Sequence, residues 1–302
     1  MCSTSELGRR KPKHPSSLRI PFTRTYERSG LPFTVRGMDT IPSSLKDQSP
    51  AFYDGYWQHV QDSYALYPTI RHRRRFIISV LRRLYGNRPF TLFDFGCGNG
   101  RLLRELKEEF HLPSANVGGS DISEEAVTAT RAATGSTSVF HAAYPETSEL
   151  FDAVICSEVI EHTERYAEIL TWIYAHLAPG GRLLLTTQTG RIHACDCYTG
   201  HTQHFQLRPL VALLRSIGYS IHGAREWGFP LFTLQKYLTN VSFESIRTTY
   251  LEGGVTRWKK FVFDVAYALY FFHDLLPIGP QIYVVAGRDA TAAVSNPAST
   301  PA

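Results

Sequence analysis

The five cysteines, at 2, 97, 156, 195 and 197, form neither a Cys-x-x-Cys pair nor a disulfide spacing. That excludes a disulfide scaffold and points to a reducing, cytoplasmic setting. Cys195-Asp-Cys197 is a lone pair, too little to define metal or redox chemistry. No apolar run is long enough to span a bilayer, since the longest, Phe261–Phe272, is interrupted by Asp264. The first 30 residues carry arginines and prolines but no apolar stretch of the signal-peptide kind. Internal repeats are lacking too. With 302 residues, 43% of them hydrophobic, the chain can bury a full core without such staples.

What is present is concentrated first between Phe90 and Gly100. Thr91–Phe95 reads as a buried parallel strand. Gly96, Gly98 and Gly100 then alternate with Cys97 and Asn99, so the backbone can turn sharply and approach a ligand without a Cβ in the way. Leu102, Leu103 and Leu106 give the next segment a helical spacing, and a helix starting there aims its first N–H groups at whatever is bound. Dinucleotide enzymes use a related glycine pattern. Asp94 is the distinguishing residue: a carboxylate just before the first glycine can meet a cationic or amine-bearing ligand. A second strand, in Asn116–Ser123, ends in Asp121, placed to accept both hydroxyls of a ribose. Ser123 followed by Glu124 and Glu125 is a helix N-cap signal. Further strands are expected at 138–141, 151–157, 182–187 (after a break at Pro179-Gly-Gly), 219–225 and 281–288, with a helix over Leu207–Ile217. The alternation predicts an α/β fold with a doubly wound, mainly parallel seven-stranded sheet.

Asp-Phe-Gly-Cys-Gly-Asn-Gly at 94–100, followed in order by Asp121 and Pro179-Gly-Gly, resembles the motifs of class I S-adenosylmethionine-dependent methyltransferases. The resemblance implies a Rossmann-like fold and S-adenosylmethionine held at Asp94, Gly96, Gly98, Asn99, Gly100, Asp121, Ile122 and Glu158. In one respect the chain departs from the family: His141-Ala142-Ala143 stands where an acidic residue is common.

A second constellation begins at Glu158. If the backbone turns helically, Glu158, Glu161 and His162 share one face at i, i+3 and i+4. With His204 they could hold a divalent cation such as Mg²⁺, Mn²⁺ or Zn²⁺. His162 or His204 could equally be a metal-free general base, or the segment could be local packing. Glu-x-x-Glu-His with a distant His-Phe resembles the small-RNA 3′-terminal 2′-O-methyltransferases, in which this set binds a metal. The segment also resembles the ubiquinone-pathway O-methyltransferases. The RNA enzymes are expected to show Glu-Trp-Thr after His-Phe, whereas Gln206-Leu207-Arg208 stands here. The stretch from Gly200 to Pro230 is similar to bacterial small-molecule and glycan-building methyltransferases. The expected reaction is therefore O-methylation of a small-molecule hydroxyl. RNA 3′-end methylation, or a catalytically silent partner or binding subunit, is the alternative.

Charge is unevenly shared: residues 1–88 hold 16 basic and 6 acidic side chains. The organisation expected is a basic, flexible arm (1–48), a helical cap (49–88), the catalytic domain (89–289) with an insertion at about 227–280, and a disordered tail (290–302). In the cap, Phe52, Tyr53, Tyr56 and Trp57 form an aromatic stripe. Arginines 71, 73, 74, 75, 82 and 83 surround a second apolar face, either as a solvated surface or to receive an anionic acceptor. The aromatic segment 258–276 could pack on the core, pair with a second copy or touch a membrane surface.

Overall fold

The computed structural model describes residues 53–55, 65–241, 243 and 255–290. The expected arm, most of the aromatic stripe and all of the tail but Ala290 lie outside the described residues.

Helix α1 (Pro68–Tyr85) starts at a proline, whose fixed φ suits a first helical turn, and stops at Gly86. Its Ile77 and Leu81 are fully buried. Strand β1 (Leu92–Phe95) runs from there into the glycine turn and α2 (Arg101–Glu109). Next come β2 (Val117–Asp121), α3 (Glu124–Thr134), β3 (Val139–His141) and β4 (Phe151–Ser157). Ser123 caps α3 as expected, its hydroxyl accepting from the Ala126 N–H. A 3-10 turn (Ile160–His162) precedes α4 (Tyr166–His176), β5 (Leu177–Gln188), α5 (Ala194–Tyr198) and α6 (Leu207–Ile217). Last are β6 (Ser220–Trp227), α7 (Leu231–Val241), α8 (Arg257–Leu269), a 3-10 segment (Tyr270–Leu275) and β7 (Gln281–Gly287).

The seven strands lie in the order β3-β2-β1-β4-β5-β7-β6. All pairs are parallel except those of β7, which runs antiparallel to both β5 and β6. This is the Rossmann-like methyltransferase architecture. Alternation along the strands sends Leu92, Ile155 and Leu184 toward α1 and α2, while Phe93, Val154 and Leu185 pack toward α4 and α6. Pro179-Gly180-Gly181 is not a break before a strand. It lies inside β5, where the pairing with β4 shifts register between Phe151 and Ala153. Proline has no N–H to give the ladder, so the strand accommodates it as a bulge rather than ending.

The glycine turn is fixed to β2 by the Gly96 and Cys97 N–H groups, both donating to the Ser120 carbonyl. Gly100 has φ 71°, and an added Cβ would lie 2.6 Å from the Thr130 Cα. Gly100→Ala should thus combine backbone strain with a backbone clash, a loss of about 2 kcal/mol or more. Urea unfolding measures it, and a midpoint unchanged from the parent would contradict this account of the turn.

Candidate functional site

The carboxyl ends of β1, β2 and β4 open on a cavity of about 600 Å³. Asp94, Gly96, Gly98 and Asn99 line it from the first strand and turn, Asp121 and Ile122 from the second, and Glu158 and His162 from the fourth. Helix α1 adds Thr69, Ile70 and Arg73. A doubly wound sheet places ligands at such a crevice.

Asp121 holds the turn in shape: one carboxylate oxygen accepts from the Gly98 N–H at 2.9 Å and the other from the Ser123 N–H at 3.0 Å. The Thr130 hydroxyl ties down the Gly98 carbonyl at 2.8 Å. Asp94 is buried, and its pKa is pushed up to about 8, first by burial and then by the neighbouring Asp121 charge. Burial likewise raises Asp121, against the pull of its backbone donors. Two acidic groups on one wall, each ill-disposed to ionise alone, make a site that favours a positively charged ligand. Ala142 and Ala143 lie on the wall where the acidic residue was lacking.

Glu158 does not share a helical face with Glu161 and His162. It adopts φ 58°, a left-handed conformation at the end of β4, and only 160–162 turn as a 3-10 segment. Its carboxylate meets the Arg73 guanidinium at 3.0 Å and accepts from Gln281 at 2.7 Å, Thr186 at 3.1 Å and Gln188 at 3.3 Å. Burial opposes ionisation, but Arg73 and these donors hold the Glu158 carboxyl below the ordinary range. Its charge is already matched.

Glu161 is fully buried. One oxygen accepts from the Thr187 hydroxyl at 2.8 Å, and the other, Oε1, has no hydrogen-bond partner among the described residues. Burial, then the Glu158 charge, raises its pKa well above the carboxylate range. The nearby His162 Nδ1 is also buried without a partner among the described residues. The sequence reading did not single out His201, yet it bridges the site. Glu161, His162 and His201 form one group of ligand atoms within 4.8 Å of each other, and Asp196, His201 and His204 form another. The expected quartet of Glu158, Glu161, His162 and His204 is thus not one cluster: Glu158 belongs to neither group, and His204 falls in the second.

The hydrogen-bond chain fixes the tautomers. His204 Nδ1 faces the Gly190 carbonyl at 3.2 Å, so it carries the proton and donates. His204 Nε2 therefore accepts from His201 Nδ1, 3.0 Å away, leaving His201 Nε2 with its lone pair. Burial lowers the pKa of His162, His201 and His204, so all three stay neutral. His162 and His201 are on the cavity wall; Glu161 and His204 stand behind it. Asp196, in the second group, already has a cation, the Lys236 ammonium at 3.0 Å.

Five of the six arginines of α1 are paired internally. Arg71 pairs with Asp264, Arg74 with Glu105, Arg75 with Asp274 and Arg82 with Glu109. Arg73 is taken by Glu158. These cations bind α1 to the rest of the fold rather than waiting for an anion.

Residues 69–246, more than half of the chain, match the methyltransferase-domain family. None of the curated proteins matches the sequence. Among solved structures, the cyclopropane synthase MmaA2 from Mycobacterium tuberculosis is 17% identical, with 80% of this chain and 99% of that chain covered and a TM-score of 0.51. A chain from the complex of the Haloferax volcanii Trm112 methyltransferase activator with a methyltransferase is 15% identical, covering 78% and 97%, at a TM-score of 0.50. Haemonchus contortus phosphoethanolamine N-methyltransferase 2, in complex with S-adenosyl-L-methionine, is 17% identical at a TM-score of 0.48. There 80% of this chain is covered, but it spans only 57% of that enzyme's length. At such identities the likeness concerns the fold.

Proposed function

The chain belongs to the methyltransferase-domain family, as a class I S-adenosylmethionine-dependent methyltransferase, and from that premise we propose that it methylates a hydroxyl oxygen of a small-molecule acceptor. The residues of the glycine turn fit the cofactor. The Asp94 carboxyl, buried without an ion-pair partner among the described residues, suits a ligand ammonium; Asp121 suits a ribose diol; Gly96, Gly98, Asn99 and Ile122 line the wall, while Gly100 packs against Thr130 and shapes the turn behind it. When bound, S-adenosylmethionine supplies a methyl group on an electrophilic sulfonium. The chain's contribution is alignment, exclusion of water and removal of the acceptor's proton.

The observation that carries the oxygen acceptor is the pair of neutral imidazoles on the cavity wall, His162 and His201, with the His201 Nε2 lone pair free of the hydrogen bond to His204. His201 Nε2 can accept the hydroxyl's hydrogen bond and take its proton as methyl transfer turns the oxygen into a strongly acidic oxonium, so even an imidazole of depressed basicity suffices, while His204 holds the ring in the required tautomer. The paired arginines support a small acceptor over an RNA end, since a polyanion needs unmatched cations.

A second reading is favoured by two orphaned atoms, Glu161 Oε1 and His162 Nδ1. With His201 they offer one oxygen and two nitrogens, a donor set better suited to Zn²⁺ or Mn²⁺ than to Mg²⁺. Such a cation would lower the pKa of an acceptor hydroxyl.

Transfer of labelled methyl groups from S-adenosylmethionine into small-molecule extracts is the assay. At saturating cofactor the rate should stay level as pH falls past about 6.5, because depressed histidine pKa values keep the neutral form. His201→Ala should lose roughly a hundredfold or more in rate while keeping cofactor affinity. Full activity in that variant would sink the oxygen-acceptor reading. Chelation separates the two versions: activity lost and restored by Zn²⁺ or Mn²⁺ supports the cation, and chelator resistance supports the base.

A further inference from the structure

We propose that the outer faces of α7 and α8, with the 3-10 segment after α8, form a surface that docks on the interface of a lipid bilayer carrying anionic headgroups. Among the described residues, Leu150 apart, every exposed large hydrophobic side chain lies between Phe229 and Ile278. They are ordered. On α7, Leu234, Tyr237, Leu238 and Val241 stand at i, i+3, i+4 and i+7, all exposed, while Phe232 and Lys236 face inward. On α8, Trp258, Phe261, Val265 and Leu269 stand at i, i+3, i+7 and i+11, and Phe263 packs inward. Trp258 is 69% exposed, and Leu275, on the following 3-10 segment, 74%. Both helices pack against that segment, so the stripes belong to one region of the surface.

A chain that stays in water rarely keeps so much apolar side chain together on its outside. The charges around it select the partner. Helix α7 has no acidic residue, and the one acid of α8, Asp264, is bound by Arg71 at 2.7 Å and Lys260 at 2.6 Å. Asp274 is held by Arg75 at 2.8 Å. Among the described residues, that leaves Arg257 unmatched beside Trp258, and one positive charge in excess where Arg71 and Lys260 share Asp264: a cationic flank to an aromatic stripe, with Tyr237 on the neighbouring helix. Tryptophan and tyrosine favour the headgroup level, and long basic side chains reach phosphates from there. A symmetric pairing of two copies would set this cationic helix against its own image, which disfavours a homodimer face. No helix among the described residues is long and apolar enough to cross a membrane, so the helices would lie on the bilayer rather than span it.

The test uses the full chain with extruded vesicles of phosphatidylcholine, with and without phosphatidylglycerol. Sedimentation with the anionic vesicles is expected, with weaker association to the neutral ones. Trp258→Glu combined with Phe261→Glu should weaken binding about tenfold or more, and Leu238→Glu on α7 should also weaken it. Affinity for S-adenosylmethionine should be unchanged in each, which shows that the variants are folded. No sedimentation, equal binding to both compositions, or binding indifferent to these substitutions would overturn the proposal. A dimer in sedimentation velocity that the same substitutions dissociate would assign the surface to a second copy instead.

Discussion

Asp94→Asn should weaken S-adenosylmethionine binding by about thirty- to hundredfold and, without ligand, make the protein more stable near neutral pH. Both effects come from one buried carboxyl whose pKa stands near 8. In the unfolded chain the same group ionises near its ordinary 3.8. Between those values the folded state retains a proton that the unfolded state has lost. The stability carried by neutral Asp94 is whole below about pH 4 and disappears as pH rises toward about 8, at a cost on the order of a few kcal/mol. Asparagine keeps the shape and removes the titration, so thermal melts of the empty variant should no longer weaken through that window. Binding moves in the opposite sense. A ligand ammonium requires the carboxylate, so the parent must release a proton, and its dissociation constant should fall roughly tenfold from about pH 6 to about pH 7. The variant lacks that dependence and loses a charge-assisted hydrogen bond, about 2–3 kcal/mol. Titration calorimetry at several pH values measures both, and equal affinity in parent and variant would remove Asp94 from the cofactor site.

Arg73→Ala should be the most destabilising of the α1 arginine substitutions, by about 3 kcal/mol or more in urea unfolding. Arg73 and Glu158 form an ion pair whose side chains are each only 11% exposed. Removing one partner leaves a carboxylate buried beside Glu161 with no cation to offset its charge. Arg82, whose partner is Glu109, is 61% exposed, and Arg82→Ala should change stability by no more than about 0.5 kcal/mol. Arg73→Met combined with Glu158→Gln should recover most of the loss, because neither residue then carries a buried charge. Equal effects of Arg73→Ala and Arg82→Ala would contradict this distinction.

The sequence was most legible where backbone chemistry is local. The glycine turn, the Ser123 cap and the strand ending at Asp121 can be read from neighbours in the chain, and the structure has each of them. Pro179-Gly-Gly was ambiguous because a bulge and a strand break use the same residues. The Glu158–His162 arrangement depended on one dihedral: φ 58° at a non-glycine residue has no signal in spacing. Once Glu158 turned to Arg73, its place beside Glu161 and His162 was open to His201, which lies three residues before His204 in His-Thr-Gln-His-Phe and hydrogen-bonds to it. Two histidines three apart just ahead of a helix were the available signal. The pairing of the arginines was not legible, since Asp264 and Asp274 lie 193 and 199 residues away from Arg71 and Arg75.

Those distances, with the seat of β7 between β5 and β6, set an order for assembly during synthesis. Helix α1 leaves the ribosome long before the acids that will hold it. The parallel strands β1 to β5 can pair as they emerge, but β6 has no neighbour until β7 arrives. Until residue 287 is made, both β5 and β6 present bare edges, the state in which chains most readily pair with the wrong partner. Loop closure over such separations is slow. A nascent chain halted before Gln281 would therefore carry a finished glycine turn on an unfinished sheet, and completion of that sheet would wait for β7.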